Sequence, residues 1–287
     1  MKSYFSLVKF AHTIFALPFA FLSFFLAMKV REAEIDWTVF LLILFCMVFA
    51  RSAAMAFNRY VDREIDARNQ RTATREIPAG IISARSALVF TALSAGAFIF
   101  TTYWLNPLCF YLSPVALLVV LGYSYTKRFT WLCHFVLGLG LGLAPVGAYL
   151  AVTGSFALLP VLYGIMVMLW VSGFDILYAL QDAQFDREEG LYSVPGRFGQ
   201  NRAKRISAGL HIACALLLLA ISWYQGNLIS SLGFLHWVGT FGFIGLLIWQ
   251  HYLVRKYDLE RINKAFFETN GIASILFGLA VITDVLF

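Results

Sequence analysis

The sequence predicts an all-α membrane protein, a polytopic bundle of about nine transmembrane helices. Of its 287 residues, 60% are hydrophobic and only 13% are charged, and the mean hydropathy is +0.76. A soluble domain needs a larger polar share to cover its surface, so this composition excludes that class. The apolar residues also fall into runs of the length that a bilayer requires. We therefore expect residues 1–287 to form a single integral membrane domain.

A helix needs roughly 20 apolar residues to cross the ~30 Å of hydrocarbon in a bilayer. Nine runs have about this length, near residues 10–28, 38–60, 87–105, 108–125, 131–152, 157–181, 205–224, 232–253 and 267–286. The first run lacks a small-residue cleavage site, which favours a first span over a signal peptide. Pro114 interrupts the fourth run and Pro145 the glycine-rich fifth, so the boundaries of these two helices stay open.

Basic residues divide the connections between the spans into two classes. Lys and Arg follow the second, fourth, sixth and eighth spans, whereas the links after the third, fifth and seventh contain neither. Lys29 and Arg31, after the first span, are the exception. The positive-inside rule then predicts a plasma (inner) membrane protein whose N-terminus and basic loops are cytoplasmic and whose C-terminus lies outside. We attribute the net charge of +6 to these loops and expect no nucleic-acid partner.

An acidic motif closes the second span. Asn58, Asp62 and Asp66 are spaced four residues apart, so on a helix they project from one face. Arg51 precedes Asn58 by seven residues and shares that face. The motif thus places two carboxylates, an amide and a guanidinium along one stripe of a membrane helix.

A second acidic motif closes the sixth span, with the polar residues Asp175, Tyr178, Asp182 and Asp186. Its last two carboxylates follow those of the first motif at the same separation of 120 residues. The motifs stand four spans apart on the same predicted membrane side. This recurrence suggests two four-helix repeats followed by one additional helix.

Carboxylates from two motifs at one membrane surface predict a metal site. They repel one another unless cations lie between them. Oxygen ligands favour Mg²⁺ over zinc or copper, and the four cysteines show no metal-ligand spacing. The predicted metal ligands are Asp62, Asp66, Asp182, Asp186 and Asn58. For either motif alone, a solvated helix end is the alternative interpretation.

Basic residues in loops at the same cytoplasmic mouth are candidate phosphate ligands, because Mg²⁺ completes its coordination with water and phosphate oxygens. These candidates are Arg71, Arg75, Lys127 and Arg128, while Arg63 is equally well explained as ordinary positive-inside charge. A site with both acids and bases at the cytoplasmic end of an apolar helix bundle suits a diphosphate with a hydrocarbon tail.

Three further polar residues have two interpretations each. Arg51 lies about two turns inside its span, where burial of an arginine costs roughly 2.5–3.5 kcal/mol at a helix centre; it either snorkels to the interface or anchors the carboxylate of a second substrate. Tyr178 either packs, or orients a carboxylate or offers its ring to a cation. His134 is interpreted as a hydrogen-bonded core residue rather than a catalyst.

Both motifs resemble the signatures of a known family. Asn58-x3-Asp62-x3-Asp66, followed by Asn69-x-Arg71-Thr72-x2-Arg75-x-Ile77-Pro78-x-Gly80, resembles the first signature of the UbiA superfamily of intramembrane prenyltransferases. Asp175-x2-Tyr178-x3-Asp182-x3-Asp186 resembles the second. The segments 174–182 and 190–195 are most similar to the 4-hydroxybenzoate polyprenyltransferase-like branch, some members of which are associated with the futalosine route to menaquinone.

The resemblance implies a nine-helix bundle in which the two motifs, with Asp175 assisting, bind two Mg²⁺ and an isoprenyl diphosphate. It also implies a lateral opening for the prenyl tail and places Arg51 near the carboxylate of an aromatic acid. The expected function is Mg²⁺-dependent transfer of a polyprenyl group from polyprenyl diphosphate to the ring of this acid, with 4-hydroxybenzoate favoured, in quinone biosynthesis.

Other functions remain open at this point. The same chemistry can act on a dihydroxynaphthoate in menaquinone synthesis, or on a haem, a chlorophyllide or a sugar. A secondary transporter also places acids within membrane helices, but near the middle of the bilayer, whereas these acids lie at one rim. The sequence leaves open which group removes the ring proton.

Overall fold

The computed structural model describes residues 4, 6–7, 15–229, 232–256 and 259–287, with no side-chain detail at 256 and 259–267. Every regular element in these ranges is helical. The α-helices are α1 (Leu17–Val30), α2 (Trp37–Arg68), α3 (Ala84–Tyr103), α4 (Pro107–Thr126), α5 (Cys133–Thr153), α6 (Leu158–Tyr178), α7 (Ala183–Glu188), α8 (Val194–Phe198), α9 (Gln200–Leu228), α10 (Leu235–Lys256) and α11 (Leu259–Leu286).

Each of the nine predicted spans overlaps one of the longer helices. Within the described ranges, eight helical segments are long and apolar enough to cross a membrane, and α1 is a shorter apolar helix of 14 residues. The first predicted span began at residue 10, and residues 10–14 lie outside the described part. The prediction of an all-α, polytopic membrane bundle is confirmed; the two-repeat origin stays a prediction.

Polar side chains fix where individual helices begin. The Asp36 carboxylate accepts hydrogen bonds from two backbone N–H groups in the first turn of α2, at 2.9 and 3.1 Å, and so satisfies donors that lack a partner within the helix. Asn106 does the same for Cys109 in α4, at 2.9 Å, and its amide also donates to the carbonyl of Leu150 at 2.8 Å. Asn106 thereby joins the start of α4 to the end of α5.

Arg31 explains the one exception in the charge pattern of the loops. Its Nη1 donates to the carbonyl oxygen of Val152, in the last turn of α5, at 2.7 Å. A cation is favourable there because the carbonyl groups at a helix C-terminus lack partners and carry partial negative charge. Arg31 therefore has a local structural role on the side that otherwise lacks basic residues.

Helices α5 and α6 approach each other through glycines. A Cβ atom at Gly142 would strike the carbonyl oxygen of Gly164, and one at Gly164 would strike that of Gly142. Such close backbone contact is typical of membrane helices, where van der Waals packing replaces the hydrophobic effect as the force between helices. Both α4 and α5 continue through their prolines, Pro114 and Pro145.

The aromatic core surrounds α6. Trp170 is fully buried, and its ring centroid lies 5.7 Å from that of Phe19 in α1 and 5.2 Å from that of Phe243 in α10. The ring centroid of Tyr163, in the same helix, lies 6.1 Å from that of Phe277 in α11. Contacts from three other helices hold α6 in place, and its last turns carry the second acidic motif.

Candidate active site

The first acidic motif lies on the buried face of α2, near the end of that helix. Asp62 and Asp66 are only 2% and 3% exposed, and Asn58 Nδ2 donates to Asp62 Oδ2 at 3.0 Å. Buried carboxylates are stable only when they are paired or hydrogen-bonded. Their partners therefore show what this site is organised to hold.

Bases from two different loops supply these partners. Lys127 Nζ lies 2.8 Å from Asp62 Oδ2 and Arg128 Nη1 lies 3.2 Å from Oδ1. Arg75 Nη1 donates to both carboxylate oxygens of Asp66, at 2.7 and 2.8 Å. Three of the four predicted phosphate ligands thus contact the first motif.

The second motif does not lie on one uninterrupted α-helix. Helix α6 ends at Tyr178, a 3₁₀ turn covers Ala179–Asp182, and α7 begins at Ala183. A 3₁₀ turn has about 3.0 residues per turn rather than 3.6, so the residues after it face a different direction from those before it. The residues before and after this turn therefore do not follow the geometry of one continuous α-helix.

Each acid of the second motif consequently has a separate partner. Asp175 Oδ2 lies 2.7 Å from His134 Nδ1, and Asp186 Oδ2 accepts a hydrogen bond from Ser193 Oγ at 2.7 Å. Ser193 also accepts from the backbone N–H of Gly196 at 3.1 Å and so caps α8.

Asp182 is bound by the loop that follows the first motif. Arg71 Nε donates to Asp182 Oδ1 at 2.9 Å, its Nη2 donates to Oδ2, and Asn69 Nδ2 donates to Oδ1 at 3.1 Å. The guanidinium of Arg71 also lies 5.5 Å from the ring centroid of Tyr178 and donates to its hydroxyl at 3.3 Å. The structure thus joins the two motifs, which are distant in sequence, at one mouth.

The pKa of Arg71 is raised above its ordinary value. Partial burial acts to lower this pKa, but the hydrogen bonds to Asp182 and the charge of that carboxylate outweigh it. Arg71 therefore stays charged, and its charge is neutralised by an acid of the second motif.

His134 is a buried residue that contacts two parts of the second motif. Its Nε2 lies 3.2 Å from the backbone nitrogen of Val194, and its Nδ1 lies 2.7 Å from Asp175 Oδ2. This arrangement agrees with the interpretation of His134 as a hydrogen-bonded core residue, and it fixes α8 beside Asp175.

An apolar cavity of about 210 Å³ lies among α2, α3, α4 and α5. This volume is several times the ~30 Å³ that one water molecule occupies, so the cavity can take an organic group. Arg51 is the one charged residue among those that line it, and its Nε is enclosed without a hydrogen-bond partner in the described part of the chain. The phenol of Tyr123 lines the same cavity and lies within electrostatic range of Arg51 and Asp62.

Sequence reasoning did not single out Asn69, Tyr123 or Ser193 as site residues. Ser193 had a readable signal, because a serine two residues before a proline is a typical start of a helix. Tyr123 had none, since a tyrosine in an apolar run usually packs in the core or faces lipid. Arg63, by contrast, contacts Glu64 at 3.0 Å and the carbonyl of Tyr60, as ordinary surface charge does.

The donor set fits a hard divalent cation. Asp62 Oδ1 is enclosed and accepts no hydrogen bond of good geometry, although Arg128 lies near it, and the remaining donors are oxygens, as Mg²⁺ prefers. Among the described residues, no three His, Cys, Asp or Glu side chains are arranged as a metal site. Bases already pair with Asp62, Asp66 and Asp182, so a metal ion bound by these acids would leave the bases to pair with another anion.

Comparison with known proteins agrees with this architecture. The profile of the UbiA prenyltransferase family matches residues 16–272. The 4-hydroxybenzoate octaprenyltransferase of Aliivibrio fischeri (strain MJ11) is 30% identical over 252 residues, which cover 88% of this chain and 85% of that protein.

Two solved structures have a similar fold. The apo structure of a UbiA homologue from Aeropyrum pernix K1 has a TM-score of 0.83 at 32% identity, covering 95% of this chain and 98% of that one. A UbiA homologue from Archaeoglobus fulgidus, bound to GPP and Mg²⁺, has a TM-score of 0.74 at 20% identity, covering 99% of this chain and 100% of the other. The family match, together with the two acidic motifs at one mouth, leads to one conclusion: this chain is a prenyltransferase of the UbiA family.

Proposed function

We propose that this enzyme transfers a polyprenyl group from polyprenyl diphosphate to the ring of 4-hydroxybenzoate, with two Mg²⁺ bound at the acidic motifs, as a step in quinone biosynthesis. Relatives named 4-hydroxybenzoate octaprenyltransferase support the acceptor, and the homologue solved with GPP and Mg²⁺ supports the donor and the metal.

The observation that carries the choice of acceptor is the position of Arg51. An apolar cavity excludes charge unless that charge meets a counter-ion, because burial of an unpaired guanidinium is costly. A small aromatic acid brings an apolar ring to the cavity and a carboxylate to its one cation. A guanidinium also binds a planar carboxylate through two parallel hydrogen bonds. These properties favour an aromatic carboxylate over an uncharged acceptor.

The bases and acids at the mouth suit the diphosphate. The acids Asp62, Asp66, Asp182 and Asp186, with Asn58 and Asp175, would hold the metal ions, which neutralise the diphosphate and make it a better leaving group. Arg71, Arg75, Lys127 and Arg128 contact these acids now and would bind phosphate oxygens in the complex. In the complex each acid would then contact a metal ion and each base a phosphate oxygen, so neither the acids nor the bases would be unpaired.

The reaction then follows from this placement. The bond between C1 of the prenyl chain and the diphosphate oxygen breaks, and C1 gains allylic cation character. Tyr123 lines the same cavity as Arg51, and its aromatic ring would stabilise this cation. The acceptor carbon ortho to the hydroxyl forms a bond to C1 and loses its proton to a carboxylate or to the released diphosphate.

Replacement of Arg51 tests the assignment of the acceptor. In Arg51→Ala we expect the KM for 4-hydroxybenzoate to rise about 30-fold, as for loss of a buried charge partner, while the KM for the prenyl diphosphate changes little. Steady-state kinetics on the purified enzyme give both values. Arg63→Ala is the control and should change neither, because Arg63 already pairs with Glu64 at 3.0 Å. Equal increases in both KM values for Arg51→Ala would remove this residue from the acceptor site.

A further inference from the structure

Arg59 is a buried arginine that has no part in the proposed binding of the metal ions, the diphosphate or the acceptor. It lies in the middle of the buried face of α2, together with Ala56, Asp62 and Asp66, and it is only 3% exposed. In the sequence it counts among the basic residues at the end of the second span. Its burial separates it from ordinary positive-inside charge, which faces water.

The guanidinium of Arg59 has no partner in the described part of the chain. No carboxylate there lies within 4.0 Å of it, no side-chain hydrogen bond involves it, and its Nε is enclosed and unsatisfied. The other bases at the mouth contact acids at 2.7–3.2 Å or form hydrogen bonds to them. An unpaired buried charge is strongly unfavourable, so its position indicates an anion that arrives with a ligand.

The surroundings of Arg59 indicate which anion this is. Asp66, Arg75 and Glu76, at the end of α2 and in the loop that follows it, lie within electrostatic range of Arg59, and so does the phenol of Tyr123. Arg59 itself is absent from the lining of the apolar cavity, where Arg51 lies. Arg51 is therefore placed for the acceptor and Arg59 for the charged end of the donor. The other bases at the mouth must break an ion pair with an acid before they bind phosphate. Arg59 has no such ion pair among the described residues.

We propose that Arg59 binds the diphosphate of the prenyl donor directly, as a buried cation that is reserved for it. This inference rests on the proposed function. Arg59 would thereby join the four bases that the sequence predicted as phosphate ligands. Two consequences distinguish this role from a purely structural one. Arg59 should contribute to diphosphate binding without metal, and its charge should destabilise the unliganded protein.

The test uses the purified full chain and farnesyl thiolodiphosphate, a donor analogue whose C–S bond resists ionisation. Calorimetry gives its affinity with Mg²⁺ and with EDTA. For Arg59→Gln we expect affinity to fall about 30-fold in both conditions, and the donor KM to rise while the KM for 4-hydroxybenzoate stays unchanged. The melting temperature without ligand should stay equal or rise, because an unpaired buried charge is removed.

Two further variants keep the result interpretable. Arg63→Gln, four residues along the helix, removes a charge that already pairs with Glu64 at 3.0 Å, and its effect should stay within about twofold, as for an exposed ion pair. Arg59→Lys retains the charge but not the planar fork, so it should recover part of the lost affinity.

Two outcomes would overturn the inference. The first is that Arg59→Gln binds the analogue as tightly as Arg63→Gln does. The second is that Arg59→Gln loses affinity only with Mg²⁺ present, which would show that Arg59 acts through Asp66 and the metal. Failure of the wild-type chain to bind the analogue at all would contradict the proposed function itself. These results are distinguishable because the first two require binding by the wild type.

Discussion

At the residue scale, the site is a set of acids that are paired with bases. Asp62 illustrates the arrangement, since Lys127 and Arg128 approach its two oxygens while Oδ1 still accepts no good hydrogen bond. An acid whose oxygens were all paired would have no free oxygen for a metal ion. A fully exposed acid would hold no base that a diphosphate could attract. The bases can move to phosphate oxygens only when the acids gain a cation, so we expect the two ligands to bind cooperatively.

Replacement of a motif carboxylate tests this assignment. In Asp62→Asn we expect turnover to fall on the order of 100-fold or more, as when one electrostatic contact to the transition state is lost. The melting temperature should change little, because the side chains of Lys127 and Arg128 are 29% and 31% exposed and water screens their charges. Initial rates and thermal melts of the same preparation measure both quantities.

Glu64→Gln is the matched control for Asp62→Asn. Glu64 lies two residues further along α2, and its side chain is 79% exposed. Its replacement should leave turnover unchanged. Comparable losses of turnover in both variants would mean that net charge, rather than the motif, supports activity.

At the element scale, the glycines between α5 and α6 determine where the second motif lies. Gly142 and Gly164 bring the two backbones into contact, and α6 then delivers Asp175 to His134 of α5 at 2.7 Å. A wider separation of these helices would move Asp175 away from its partner. The packing of small residues in the middle of the membrane therefore affects the chemistry at its rim.

A single methyl group at this contact tests the argument. Gly142→Ala should destabilise the protein by about 1–3 kcal/mol, because the added Cβ meets a carbonyl oxygen that cannot move aside. Gly147→Ala, in the same helix, is the control, since its Cβ would have no atom within 4 Å. Denaturation in detergent compares the two, and an equal loss of stability in both would show that helix propensity alone is being measured.

At the scale of the whole molecule, the charge pattern of the loops predicts a cytoplasmic mouth in the inner membrane. The bases that contact the acidic motifs lie in the loops after α2 and α4, and Arg31, the exception, caps α5 at the other end. A polyprenyl diphosphate made in the cytoplasm would meet this side first. We therefore propose that the active site opens toward the cytoplasm.

Cysteine labelling tests this orientation. In a variant without the four native cysteines, Ala79→Cys should react with a membrane-impermeant maleimide only from the cytoplasmic side. Ser155→Cys, in the loop between α5 and α6, should react only from the opposite side. Both positions are exposed. Labelling of the two from one side would contradict the orientation.

The sequence was sufficient for the fold because apolar runs of about 20 residues have few alternatives to a membrane helix. It was less informative where geometry depends on distant contacts. The contact of Arg71 with Asp182 joins residues 111 apart, and the 3₁₀ turn at Ala179–Asp182 breaks a spacing that is typical of one continuous helix. Arg59 is one of several basic residues near the end of the second span, and the sequence alone does not distinguish its burial from the exposure of the others.

The most direct test of the account is a prenylation assay with the purified chain, Mg²⁺ and a long-chain polyprenyl diphosphate, offering 4-hydroxybenzoate and 1,4-dihydroxy-6-naphthoate in parallel. We predict a prenylated product from 4-hydroxybenzoate that is lost with EDTA and in Asp182→Asn. Product from the naphthoate alone would keep the prenyl transfer and replace the acceptor. No product from either acid, with the donor bound, would contradict the proposed function.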